Sequence, residues 1–325
     1  MQNNFPVSEI HFGERKLHVH LLAMGDSLTE GLSRVTGSTK IFLSPYVKAL
    51  SSKLINAICS NGDRVQSVTS QVFAFRGRTS GMLVDEISSI LFVNSSNRID
   101  PFAIPADLHS ILVDSTDVLG PHRVVIVCAV MAGSNDVLRA EGSRVGRALT
   151  VITLEETLSK VTAIHELCTD YARAVVHRSR SQLPVTIQLL PMGIPPMMLD
   201  PQTQTMRFVA SRLEGKRNAV RAQYGYCFTS PSSWHAMNTQ RLKIRDALVS
   251  PGHFFEGLEL LVERKNEIDR AFPERLRSSV CQEAVDSDPF LVDNTTLWSD
   301  CIHLTPTGYD LLGEVVAGVL IRQLA

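Results

Sequence analysis

The chain has 325 residues, of which 44% are apolar and 20% charged, with a formal net charge of −1. This length can bury roughly three quarters of the unfolded surface in one or two cores, and the composition is that of an ordinary globular protein. Basic residues are scattered rather than gathered into a stripe, which excludes the electrostatic footprint of a nucleic-acid binder. No apolar run approaches the roughly 18 residues that a membrane span needs.

Met1 to Lys16 is polar and mixed in charge, without the basic-then-apolar order of a signal peptide. The six cysteines, at 59, 128, 168, 227, 281 and 301, form no CxxC pair. The expectation is a cytoplasmic protein with reduced thiols. The two sequons, at Asn94 and Asn294, then read as chance matches.

Leu17–Met24 reads as a buried strand stopped by Gly25-Asp26-Ser27. Apolar spacing from Ser44 or Pro45 to about Ala57 predicts a helix, and the Val-, Thr- and Phe-rich run from Arg64 to Phe75 a second strand. A second helix is expected from Thr79 to about Phe92. Arg123–Val130 is the clearest strand, a continuous apolar run of the kind buried on both faces of a parallel sheet. Thr153 and Glu156 make a capping box, followed by a helical stripe through Leu154, Leu158, Val161, Cys168, Ala172 and Val175. Pro184–Leu190 is the next strand. Thr305 is a good N-cap with Pro306 at the first helical position, opening a helix with Leu311, Leu312, Val315, Val316, Val319 and Leu320 on one broad face.

Alternating strands and helices predict an α/β layered fold with a mainly parallel sheet. Residues 93–121 and 195–297 break the alternation. Both read as insertions in a single domain spanning 1–325, because no flexible linker sets them apart. Within the second, 207–223 looks helical. Met192, Met197, Met198, Phe254 and Phe255 around it suit an apolar lid, a dimer surface or a thicker core.

Four separated clusters carry the chemistry: Gly25-Asp-Ser-Leu-Thr-Glu-Gly31, Gly77 in Arg76-Gly-Arg-Thr79, Gly133-Ser-Asn-Asp136, and Asp300-Cys-Ile-His-Leu-Thr-Pro-Thr-Gly-Tyr309. Singly, each is an ordinary turn, cap or neighbouring Asp and His. Together, each at an element boundary, they can converge on the crevice at the carboxyl ends of a parallel sheet. A serine hydroxyl needs a base within hydrogen-bond reach. His303 is the candidate, since imidazole is the side chain suited to base work near neutral pH, and Asp300 can fold back to orient its ring. The Ser27 and Gly77 backbone N–H groups and the Asn135 side-chain amide are candidate donors to an oxyanion.

The first cluster is similar to block one of the SGNH (GDSL) hydrolases, and the other three resemble blocks two, three and five. The resemblance implies a three-layer α/β/α flavodoxin-like fold and a serine ester hydrolase. It assigns Ser27 as nucleophile, Asp300 and His303 as the rest of a triad, and Ser27, Gly77 and Asn135 as the oxyanion hole. Gly81 is the alternative to Gly77. The sequence departs from the family pattern at Arg78, where an acidic residue is more usual, and at Leu304, where proline is frequent. A small-molecule or lipid ester is the expected substrate, with thioesterase, acyltransferase or non-catalytic binding module as alternatives. The G-x-S-x-G elbow of the α/β-hydrolases is absent, since Thr29 stands where its second glycine belongs. His18 and His20 could be a metal pair on one strand face, but a structural role is preferred, and no cofactor or metal is expected. Cys301 beside Asp300 is a poor nucleophile. Asp26 and Asp136 are expected to hold turns through backbone hydrogen bonds.

Overall fold

β-Branched and small apolar residues fill His122–Met131, and Val124–Val130 are buried throughout, as a strand covered on both faces requires. The structure is a computed structural model describing residues 16–34, 41–59, 62–93, 98–99, 108, 111–112, 122–140, 152–179, 183–195, 231–248, 299 and 302–324. Eight strands are described: β1 Lys16–Gly25, β2 Leu32–Arg34, β3 Ile41–Leu43, β4 Arg64–Ala74, β5 Phe92–Val93, β6 Arg98–Ile99, β7 His122–Met131 and β8 Val185–Pro191. The helices are α1 Tyr46–Leu54, α2 Ser80–Leu91, α3 Ser134–Ala140, α4 Leu154–Ser179, α5 Pro231–Leu248 and α6 Pro306–Gln323.

Among the described residues the main sheet has four strands, in the order β4-β1-β7-β8. Every pairing in it is parallel. Alternate residues of β1 face opposite cores. Leu17, Val19, Leu21 and Ala23 pack with Tyr46, Val47 and Leu50 of α1 and with Tyr309, Leu312 and Val316 of α6. Leu22 and Met24 pack with Leu83 and Ile87 of α2 and with Val161, Ile164 and Cys168 of α4. The molecule is thus a mainly parallel sheet with helices on both sides, as the alternation predicts. After β1 the chain moves to one side (β4) and then to the other (β7), so the strand order reverses between the carboxyl ends of β1 and β7. Open α/β sheets bind their ligands at such a point.

Several elements follow from local chemistry. Thr153 accepts from the Glu156 N–H at 3.1 Å, and Thr305 accepts from the Gly308 N–H at 3.1 Å with Pro306 behind it. Arg123 closes the far end of the molecule, donating to the Leu324 carbonyl at 2.7 Å and pairing with Asp63 at 3.0 Å.

The β2–β3 hairpin and α5 are not evident from the periodicity. Most of 93–121 and 195–297 lies outside the described residues, including the expected helix 207–223 and the side chains of Met197, Met198, Phe254 and Phe255. A few described side chains of these stretches and of the segment just before the second reach the core. Leu108 and Leu112 join the α2–α4 side, while Met192, and Ile244 from α5, join the α1–α6 side.

Candidate active site

The nucleophile candidate sits where β1 stops. A Cβ on Gly25 would collide with the Met131 carbonyl oxygen and the Thr29 hydroxyl, so only glycine lets the ends of β1 and β7 meet here. The chain then makes a tight turn. Asp26 Oδ1 accepts the Leu28 N–H at 3.0 Å, the Glu30 N–H reaches the Asp26 carbonyl at 3.1 Å, and the Leu32 N–H reaches the Ser27 carbonyl at 3.0 Å. These bonds present the Ser27 side chain at the carboxyl edge of the sheet.

The segment before α6 arrives from the other end of the chain. Ser299 donates its backbone N–H and its hydroxyl to the His303 carbonyl at 2.8 and 3.1 Å. Ser33 donates its hydroxyl to the Leu304 carbonyl at 2.8 Å, and Tyr309 its phenol to the Leu32 carbonyl at 3.0 Å. β2 is therefore pinned to the segment that follows His303, at Leu304 and at Tyr309. The result is a hydrogen bond of 2.9 Å between Ser27 Oγ and His303 Nε2, joining residues 276 apart in sequence. Both side chains are buried, at 6% and 4% exposure, so the pair is shielded from bulk water. Asp300 lies outside the described residues, as does Cys301.

Asp26 and Asp136 hold turns, as expected, but their longer reach is not legible in the sequence. Asp26 Oδ2 accepts the Ser134 hydroxyl and lies 3.4 Å from Asn135 Nδ2, which ties the first cluster to the third. Asp136 accepts the backbone N–H and the hydroxyl of Ser80, tying the third cluster to the start of α2. Burial pushes the Asp26 carboxyl above its ordinary range, and the charge of Asp136 adds to this. The Ser134 hydroxyl, the Leu28 N–H and the nearby His303 pull it back.

Gly77 follows β4 on an exposed turn with φ +67°, and a Cβ there would meet nothing within 4 Å. Its left-handed backbone, not crowding, is what favours glycine here. Asn135 Nδ2 donates to the Arg78 carbonyl at 2.9 Å, its second contact besides Asp26. Ser27, Gly77 and Asn135 thus stand on neighbouring segments. Gly81 instead lies within the first turn of α2.

His18 and His20 each engage a β4 hydroxyl through Nδ1, Ser67 at 2.7 Å and Thr69 at 2.8 Å. Among the described residues no three His, Cys, Asp or Glu side chains gather as a metal site. Cys59, Cys128 and Cys168 are free thiols, all buried. No helix among the described residues is long and apolar enough to cross a membrane.

No protein-family model matches the sequence, and no curated protein does either. Similar solved structures include a carbohydrate acetylesterase from Sinorhizobium meliloti at 16% identity, covering 93% of this chain and 97% of that one with a TM-score of 0.41. A lipase/acylhydrolase from Enterococcus faecalis is 12% identical, covering 93% and 95% with a TM-score of 0.37. A GDSL-like lipase from Bacteroides thetaiotaomicron is 14% identical, covering 94% and 89% with a TM-score of 0.35. By its motifs the chain resembles the SGNH (GDSL) hydrolases, and GDSL-like lipases and acylhydrolases are among the solved proteins it is similar to.

Proposed function

We propose that this protein is a serine ester hydrolase working through an acyl-enzyme intermediate. The observation that carries the reading is the buried 2.9 Å contact between Ser27 Oγ and His303 Nε2 at the switch point of the sheet. A hydroxyl becomes a competent nucleophile when a base sits within such reach. As the Ser27 oxygen bonds to the ester carbonyl carbon, its proton passes to His303 Nε2. His303 then returns that proton to the departing alcohol, leaving an acyl-serine. A water molecule, deprotonated by the same ring, attacks the acyl group and releases the acid and free Ser27.

Negative charge appears on the carbonyl oxygen in both halves of the reaction. The N–H groups of Ser27 and Gly77 and the amide of Asn135 receive it. Asn135 has a hydrogen to give, because its 3.4 Å contact with Asp26 is at a length where little is lost on release. Asp300, by its place in the motif, orients the ring of His303 and stabilises its cationic form.

The test is hydrolysis of p-nitrophenyl acetate together with labelling by a fluorophosphonate. Wild type should turn over and be labelled, and Ser27→Ala should do neither. Full turnover in the Ser27→Ala protein, or a folded wild type inert in both assays, overturns the proposal. A panel varying acyl length, alcohol and thioester then identifies the substrate class.

A further inference from the structure

Arg76 and Glu30 form a two-pronged ion pair, Nε to Oε2 at 2.5 Å and Nη2 to Oε1 at 2.8 Å. Glu30 lies three residues beyond Ser27 on the turn after β1, and Arg76 immediately precedes Gly77 on the turn after β4. The pair therefore spans the two loops that carry the backbone donors of the oxyanion hole. Lower down, the same loops are joined by the Phe75 N–H donating to the Gly25 carbonyl at 3.0 Å.

Among the described residues, this pair is the side-chain link between the Gly77 turn and the turn after β1. Gly77 is exposed, and the space a Cβ would occupy is empty to 4 Å, so packing does not set its position. Its other neighbour is held from the opposite direction. The Arg78 carbonyl accepts from Asn135 at 2.9 Å, and the Arg78 guanidinium meets Glu86 of α2 at 2.6 Å. Gly77 is thus suspended between polar links on its flanking residues. An exposed pair of this sort contributes little to stability. A displacement of ~1 Å in a catalytic group, however, can cost ~10²-fold in rate.

Resting on the ester-hydrolase reading above, we propose that the Arg76–Glu30 pair is a positioning clasp that sets the Gly77 amide at the distance from the Ser27 amide which an oxyanion requires. Neither side chain touches the reacting atoms. The fork geometry matters because a planar guanidinium binding both carboxylate oxygens fixes orientation as well as distance.

The experiment compares wild type with Arg76→Gln, Glu30→Gln, the double variant, and the charge-exchanged Arg76→Glu/Glu30→Arg protein. It measures kcat, KM, the pH profile and the melting temperature with p-nitrophenyl acetate. Each single variant should lose ~10- to 100-fold in kcat with KM within about twofold. The double should be no worse than either single, and the exchanged pair should recover most of the loss. The pH at which the base limb of kcat/KM bends should stay in place, because the clasp acts on the anion donors and not on His303. Unchanged kcat in both singles, or losses that simply multiply in the double without recovery by exchange, would overturn the clasp. So would a kcat loss that only tracks a fallen melting temperature. If wild type itself shows no Ser27-dependent turnover, the hydrolase reading has failed instead.

Discussion

Asp136 accepts both the main-chain N–H of Ser80, at 2.8 Å, and its hydroxyl, at 2.6 Å. Both side chains are buried, so each bond forms away from water. Removing the acceptor strands two donors at the start of α2, at a cost of about 1–3 kcal/mol for each buried group left unpaired. Asp136→Ala should therefore lower the urea midpoint far more than Ser80→Ala, which loses one bond and keeps the other. Equal effects of the two substitutions would show that the backbone bond contributes nothing.

Asp26 presents the matching case on the nucleophile side. Its carboxylate accepts from Leu28, Ser134 and, at greater length, Asn135. Asp26→Ala should cost stability of the same order and also lower kcat at least tenfold, because the Ser27 turn and Asn135 lose a shared anchor. A variant that melts early yet turns over normally when folded would restrict Asp26 to a structural role.

His303→Gln separates base chemistry from folding. The His303 carbonyl is held by Ser299, and the next residue's carbonyl by Ser33, neither through the imidazole. The melting temperature should move little while kcat falls by ~10²–10⁴-fold, the usual worth of a positioned base. Retained turnover at neutral pH would remove His303 from the mechanism.

Acid should weaken the fold through two histidines unconnected with catalysis. Burial holds His20 and His165 down at about 4, from 6.5 when exposed. Between those values the unfolded chain binds the extra protons, so stability is lost as pH falls below 6.5 and the loss saturates near 4. Each contributes roughly 2 kcal/mol of destabilisation between pH 7 and 5. Asp26 has the opposite sign: its raised carboxyl pKa favours the folded state on acidification, partly offsetting the histidines. Comparing urea unfolding at pH 7 and 5 in wild type and His20→Gln should show a smaller drop in the variant. An identical drop would dismiss His20 as a source.

Ile244 tests what α5 does for the fold. Its side chain is buried with Ile194 and Met192. Beside it the buried Arg241 donates to the Ile194 carbonyl at 3.3 Å. Ile244→Ala should cost about 2–5 kcal/mol, as for other core truncations, measurable by denaturant unfolding. A cost near zero would mean that α5 only rests on the surface.

The long elements were legible in the sequence because each carries its own period. The unbroken apolar run of β7, the stripe of α4 and the Thr305-Pro306 start of α6 all locate themselves to within a residue or two. The hairpin of β2 and β3 is too short to show alternation, with three residues per strand. α5 hides because the residues it buries include Arg241, which reads as surface in any hydrophobic pattern. Ser27 and His303 were recognisable from their neighbours. The bonds from Asp26 to Ser134, from Asp136 to Ser80 and from Arg76 to Glu30 were not, since a sequence shows that a side chain can pair but not which distant residue it meets.

Pinning His303 directly ahead of α6 has a consequence for biosynthesis. α6 also supplies Tyr309, Leu312, Val316 and Leu320 to the core it shares with α1. His303 and this wall of that core therefore leave the ribosome together, after the other elements described. A chain arrested before residue 302 would lack both the helix that covers the α1 face and the imidazole that meets Ser27, so a single lesion would expose apolar surface and separate the Ser27–His303 pair.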